Sequence, residues 1–81
     1  SLKNFLIFLI DEKHYKKDVF IKNNIYKYVE FYLLNLMKFK NSRNKISSLY
    51  KNFINKIHDL KKFNLDEESF FIEFKTKVLD E

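Results

Sequence analysis

The chain has 81 residues, a net charge of +5 and an apolar share of 46%, which includes ten Phe and five Tyr. That length supports one domain with one core, and the apolar content is too high for intrinsic disorder. The chain has no Cys and no Gly, which excludes disulfides, Cys-based zinc sites and glycine-rich phosphate loops. Because the chain starts with Ser1 rather than Met, we expect residues 1–81 to be a single helical domain excised from a longer chain.

The charge is unevenly distributed along the chain. Residues 64–81 hold six acidic and two basic residues, so the positive charge lies in the preceding segments. Fifteen of the sixteen basic residues are Lys, whereas base reading and phosphate recognition favour Arg. The longest apolar run, Phe5–Ile10, is far shorter than the about 20 residues that span a bilayer. It follows Lys3 as in a signal peptide, but no small-residue cleavage site follows it, so we expect a core helix and no membrane segment.

The first predicted helix covers about residues 2–13, with Ser1 as its N-cap. It is apolar on most sides, so we expect it to be buried on several sides or to have begun upstream. The β-branched and aromatic residues 19–21 are expected to attach the following connection to the core.

The second predicted helix, about residues 23–40, is the longest, with Asn23 or Asn24 as its N-cap. Seven apolar residues recur at helical spacing on one side of it: Ile25, Tyr28, Val29, Tyr32, Leu33, Leu36 and Phe39. Four others lie outside that arc and form a candidate partner-facing apolar strip: Tyr26, Phe31, Leu34 and Met37. Two interpretations stay open for this strip. It packs against the first or fourth helix, or it docks a protein partner.

The third predicted helix, about residues 45–62, has the clearest periodicity. Its apolar side consists of Ile46, Leu49, Tyr50, Phe53, Ile54, Ile57 and Leu60, opposite a polar side. The fourth, about residues 65–79, begins with Asn64 or Asp66 as N-cap and acidic residues in its first turn. Its buried face is expected to comprise Phe70, Phe71, Phe74 and Val78, with Ile72 and Leu79 on the other side. The sequence thus predicts a compact four-helix bundle.

Little in the sequence indicates chemistry. His14 and His58 lie on different segments without further ligands at metal spacing, so both are expected to be surface histidines. The acidic residues cluster at helix starts, where capping explains them. Glu30, the sole acid of the second helix, is expected to pair with Lys27. We therefore expect no catalytic, cofactor-binding or metal-binding residues, and no enzyme.

A basic cluster offers a second candidate surface. Lys38, Lys40, Arg43 and Lys45 lie around the predicted turn between the second and third helices. Clustered cations neutralise phosphates. Direct contact with nucleic acid is therefore the alternative function that these residues would carry.

Over about residues 2–79 the chain resembles the ACDC domain, the Apetala-two-coincident domain of apicomplexan transcription regulators, where it lies mostly at the C-terminus. The resemblance rests on FLIFLIDEK, YKYVEFYLLNLMKF, ISSLYKNFINKIHDL and DEESFFIEF. The excess of Lys, Asn, Ile and Phe is typical of AT-rich genomes such as those of malaria parasites.

This resemblance implies an orthogonal bundle and a nuclear parent protein in which separate Apetala-two domains bind DNA. It further implies a non-catalytic module that mediates protein–protein contacts, and it transfers no site residue. A structural or dimerising domain of a secreted parasite protein remains a further alternative, and the oligomeric state stays open.

Overall fold

The computed structural model of the protein describes residues 1–39, 43–63 and 66–79. Within these ranges it contains four α-helices and no strand, which confirms the predicted all-α four-helix bundle. The helices are α1 (Leu2–Asp11), α2 (Val19–Phe39), α3 (Arg43–Phe63) and α4 (Glu67–Phe74). A 3-10 turn, His14–Lys16, connects α1 to α2, and α4 continues into a π-helical turn, Lys75–Leu79. The orthogonal arrangement implied by the resemblance stays a prediction.

The start of α1 is as predicted and its end is not. The Ser1 hydroxyl accepts a hydrogen bond from the Asn4 N–H at 3.3 Å, as expected of an N-cap. The helix ends at Asp11, and the chain reverses through Lys13, whose φ of 54° is left-handed. Gly adopts this conformation without a steric penalty, but the chain has no Gly. For Lys13 the conformation costs about 1–2 kcal/mol. After the reversal, Tyr15 lies in the core and is 3% exposed.

The predicted start of the second helix is wrong by four residues. The helix begins at Val19, and the Asp18 carboxylate caps it by accepting from the N–H groups of Phe20 and Ile21 at 2.6 and 3.2 Å. Asn23 is therefore an interior residue rather than a cap. Val19 and Phe20 do not attach the connection to the core, since they are 66% and 73% exposed. Aspartate at an N-cap is as favourable as Asn, so the cap preference alone does not separate the two starts.

The core combines buried residues from all four helices, from the 3-10 turn and from the π-helical turn. Its members are Leu6, Leu9, Ile10, Tyr15, Ile25, Tyr26, Val29, Leu33, Phe53, Ile57, Leu60, Phe70, Phe71, Phe74, Val78 and Leu79. Aromatic rings form its centre. Phe53 meets Phe70 and Phe74 edge to face, with ring centroids 5.8 and 5.3 Å apart. Such pairs add to the stabilisation that burial itself provides.

The predicted faces of α3 and α4 are largely confirmed. On α3 the predicted apolar side is buried or half-buried, and Lys51, Asn52 and Asn55 are exposed. The helix begins at Arg43, so the predicted turn at this residue is helical, and Asn41 and Ser42 lie outside the described residues.

On α4, Asp66 is the N-cap: it accepts from the Glu68 N–H and the Ser69 hydroxyl, each at 3.0 Å. The alternative cap, Asn64, lies outside the described residues. The prediction for Leu79 is wrong, since this residue is 1% exposed. The π-helical turn closes from residue i to i+5, and it therefore brings Leu79 to the side of Phe74.

Candidate interaction surface

The structure divides the four residues predicted to form the apolar strip of α2. Tyr26 is 2% exposed and packs against Phe70 and Phe71 of α4, so the first of the two interpretations holds for it and it is not partner-facing. Phe31 and Leu34 are 58% and 40% exposed, and Met37 is half-buried. The strip therefore contributes two exposed residues, Phe31 and Leu34.

Helical spacing by itself indicates that Tyr26 is buried. Tyr26 and Leu33 are seven residues apart, which is close to two turns at about 3.6 residues per turn. Tyr26 therefore lies beside Leu33, which is fully buried. The opposite error concerns Tyr28, which was predicted to be in the buried arc and is 39% exposed. The buried face of α2 is thus rotated towards Tyr26 and away from Tyr28.

Exposed apolar side chains continue from α2 onto α1. We call this set the apolar ridge: Phe5, Phe8, Tyr28, Phe31 and Leu34. Along α2, Tyr28, Phe31 and Leu34 follow one another at a spacing of three residues, which makes them neighbours on the helix surface. Phe5 and Phe8 have the same spacing on α1. The ring of Phe5 meets that of Tyr28 edge to face at 5.6 Å, so the ridge crosses from one helix to the other.

The α1 part of the ridge was not predicted as surface. Phe5 and Phe8 are 45% and 52% exposed, and α1 buries only Leu6, Leu9 and Ile10 fully. The expectation that this helix is buried on several sides is therefore wrong. The Phe8 ring lies 5.3 Å from that of His14, a half-buried residue of the 3-10 turn. Apolar residues occupy most of α1, and its few polar residues, Lys3, Asn4 and Asp11, do not show where the covered side ends.

The basic candidate surface is described only in part. Lys38 in the last turn of α2 and Lys45 in the first turn of α3 are both exposed. Lys40 lies outside the described residues. Arg43 begins α3, but its side chain is outside the description as well. The structure thus provides two exposed lysines and no geometry for a joint site.

The acidic residues of α4 connect this helix to the rest of the fold. Between described residues, ion pairs of the segment from residue 67 to 75 include Lys13–Glu68, Lys16–Glu68, Lys22–Glu67, Lys56–Glu73 and Asp11–Lys75. Hydrogen bonds from Lys16 and Lys13 lower the pKa of Glu68. A hydrogen bond from Lys56 lowers the pKa of Glu73. These carboxylates are held in the ionised state, the opposite of what a general acid requires.

The two histidines and Glu30 were the remaining residues considered for chemistry. His58 is exposed, and no group of three or more His, Asp or Glu within residues 1–39, 43–63 and 66–79 is arranged to hold a metal ion. Glu30 accepts from the Tyr50 hydroxyl of α3 at 3.5 Å, instead of pairing with Lys27. None of the helices in the described part of the chain is long and apolar enough to cross a membrane.

No protein-family model, curated protein or solved structure matches the chain.

Proposed function

We propose that the chain is a non-catalytic helical interaction module whose apolar ridge docks a protein partner. The observation that carries this proposal is the continuity of the ridge across α1 and α2, through the contact of Phe5 with Tyr28. Scattered apolar residues are normal on protein surfaces, but contiguous ones mark interaction sites. Aromatic side chains are also enriched at the centres of interfaces. The partner proposed for the ridge is an amphipathic helix with its apolar face towards these exposed residues.

The parent protein forms part of the same proposal. The resemblance to the ACDC domain supports a nuclear DNA-binding transcription regulator of an apicomplexan parasite. In that setting DNA is bound by a separate domain of the parent chain, and the present module recruits another protein. Direct binding of nucleic acid through Lys38, Lys40, Arg43 and Lys45 stays a prediction. The exposure of Lys38 and Lys45 is compatible with it, but a solvated surface is equally compatible.

The experiment compares two Phe→Asp variants at sites of similar exposure. Phe31 is 58% exposed on the ridge, and Phe63 is 60% exposed at the end of α3. The tagged domain would be used to capture partners from nuclear extract, and a captured protein would then be purified and titrated directly. We expect Phe31→Asp to weaken binding at least about tenfold, because a carboxylate is desolvated in an apolar contact. Phe63→Asp should bind like the original domain.

Three outcomes would contradict the proposal. The first is equal loss of binding in both variants, which indicates a nonspecific contact. The second is loss of helical circular dichroism in Phe31→Asp, which makes Phe31 a structural residue. The third is sedimentation at a concentration-dependent mass that Phe31→Asp abolishes, because the ridge would then join two copies of this chain.

A further inference from the structure

The net charge of the protein is concentrated on one helix. α3 has six basic residues and one acidic residue. The rest of the sequence has ten basic and ten acidic residues, so its charges cancel, and the whole net charge of +5 belongs to α3. Solvated helix faces commonly combine both signs, which forms ion pairs between residues i and i+4. α3 departs from that pattern, so its charge requires another explanation.

The polar side of α3 contains a straight row of exposed hydrogen-bond donors. We call it the α3 row: Ser48, Lys51, Asn55, His58 and Lys62. Their spacing alternates between three and four residues, which places them on one side of the helix. At a rise of about 1.5 Å per residue, the row is about 21 Å long. It contains neither an acidic nor an apolar residue.

Other charged residues of α3 face the neighbouring helices. Lys56 pairs with Glu73 of α4, and Asp59 lines the groove between α3 and α4. On the opposite flank, the Lys61 ammonium lies 5.5 Å from the centre of the Tyr26 ring of α2. The α3 row lies between these two flanks and faces solvent. Among the described residues, no carboxylate pairs with either lysine of the row.

The composition of the α3 row matches a phosphate backbone better than a protein surface. Lys, Ser and Asn are among the side chains that contact phosphate oxygens. Interfaces with nucleic acid are more polar and more positively charged than those between proteins, whereas the centre of a protein interface is apolar. Single strands are bound by several rings on which bases stack. The row has one ring, that of His58, which favours a duplex over a single strand.

We propose that the α3 row binds the phosphate backbone of a nucleic-acid duplex. Lys51 and Lys62, about 16 Å apart along the helix, neutralise phosphates, and Ser48, Asn55 and His58 donate hydrogen bonds to phosphate oxygens. The contact does not read the base sequence. It uses other residues than the basic cluster around the turn between α2 and α3. It also does not depend on the apolar ridge, which belongs to α1 and α2, so the two surfaces can be tested separately.

The test is a titration of a labelled duplex with the 81-residue chain, followed by fluorescence anisotropy at about 20 to 200 mM salt. A DNA duplex and an RNA duplex of about 20 base pairs are the probes, and blocked polyglutamate of similar charge is the competitor. We expect saturable binding that weakens steeply with salt, because neutralised phosphates release counterions. The tighter probe identifies the kind of duplex. Absence of binding to both at about 50 mM salt overturns the proposal. Equally strong competition by polyglutamate also overturns it, because the row would then take any polyanion.

Matched double variants separate the α3 row from general attraction to a basic protein. Lys51→Gln with Lys62→Gln should weaken binding at least about tenfold at about 50 mM salt and lower the slope of log K against log salt by about 2. Lys17→Gln with Lys27→Gln removes the same charge from other elements and should change binding no more than about twofold, because distant charges are screened. All four lysines are exposed, so both variants keep the fold, which circular dichroism verifies. Equal weakening by the two double variants contradicts the proposal.

A second pair of variants tests the middle of the row. Asn55→Asp places a carboxylate between the two lysines and should weaken binding at least about tenfold at about 50 mM salt. Asn4→Asp makes the same change at an exposed position of α1 and should leave binding nearly unchanged. Equal effects of the two substitutions contradict the proposed position of the duplex on α3.

Discussion

Tyr26 and Phe31 lie five residues apart on α2 and have opposite environments. Tyr26 belongs to a buried aromatic cluster, together with Tyr15, Phe70 and Phe71. Phe31 belongs to the apolar ridge, where more than half of its surface is exposed. Both regions are built from the same residue types. The difference is that α4 covers the cluster, whereas no element among the described residues covers the ridge. Apolar composition therefore does not distinguish core from binding surface in this chain.

Ion pairs connect α4, the helix that covers the aromatic cluster, to the other helices. The ion pairs of Glu67, Glu68, Glu73 and Lys75 hold α4 and its π-helical turn against the other helices. Surface ion pairs contribute only about 0–1 kcal/mol each. They orient α4, while the burial of its phenylalanines provides most of the stabilisation.

The largest expected effect separates the two regions by stability. Phe71 is fully buried, so Phe71→Ala should lower the free energy of unfolding by about 3–5 kcal/mol. Phe31→Ala should change it by no more than about 0.5 kcal/mol, because the ring is largely solvated already. Urea denaturation followed by circular dichroism measures both. Similar losses in the two variants would show that the ridge is covered in solution.

Inside the aromatic cluster, one substitution is expected to leave the free energy of unfolding unchanged or to raise it slightly. Tyr26→Phe removes a buried hydroxyl that has no hydrogen-bond partner among the described residues and keeps the ring, so the free energy of unfolding should stay equal or rise by up to about 1 kcal/mol. Tyr50→Phe is the control, since it removes a hydroxyl that donates to Glu30 and should not stabilise. Thermal unfolding in the same buffer measures both variants. A clear destabilisation by Tyr26→Phe would mean that the hydroxyl has a partner within the fold.

The smallest expected effect concerns pH. The pKa of Glu73 is lowered below its ordinary value of 4.5 by the hydrogen bond from Lys56. The folded state therefore binds this proton less tightly than the unfolded state does. The stabilisation is present above pH 4.5 and is lost as the pH falls through the lowered pKa.

Glu73→Gln should flatten the acid side of the stability–pH profile slightly. Lys56→Gln should flatten it to the same extent, because both variants remove the same pair. Chemical denaturation between about pH 2 and 7 measures the profiles. A profile that only Glu73→Gln changes would show that Lys56 is not the partner in solution.

The predictions from sequence succeeded where a helix has one covered side. The amphipathic pattern of α3 identified its buried face because polar residues occupy the opposite side. Ser1 was recognised as a cap, and Asp66 as one of two candidates, because their side chains act locally on the next turn. On α1 and α2, by contrast, apolar residues occur around most of the helix. On both helices apolar residues interrupt the polar side, so periodicity does not locate the covered side, and Phe5, Phe8 and Tyr28 were assigned to the wrong environment.

The sequence by itself determined the all-α class, the number of helices and the cap of α1, because these depend on spacing and on contacts within a few residues. The tertiary structure alone decided which apolar residues are covered. The left-handed Lys13 sets the reversal after α1, and the cap at Asp18 begins α2 four residues early. The π-helical turn rotates Leu79 inwards. Which side of a helix is covered depends on contacts between distant segments. They leave Tyr26 beneath α4 and Phe31 at the surface, although both are aromatic residues of the same helix.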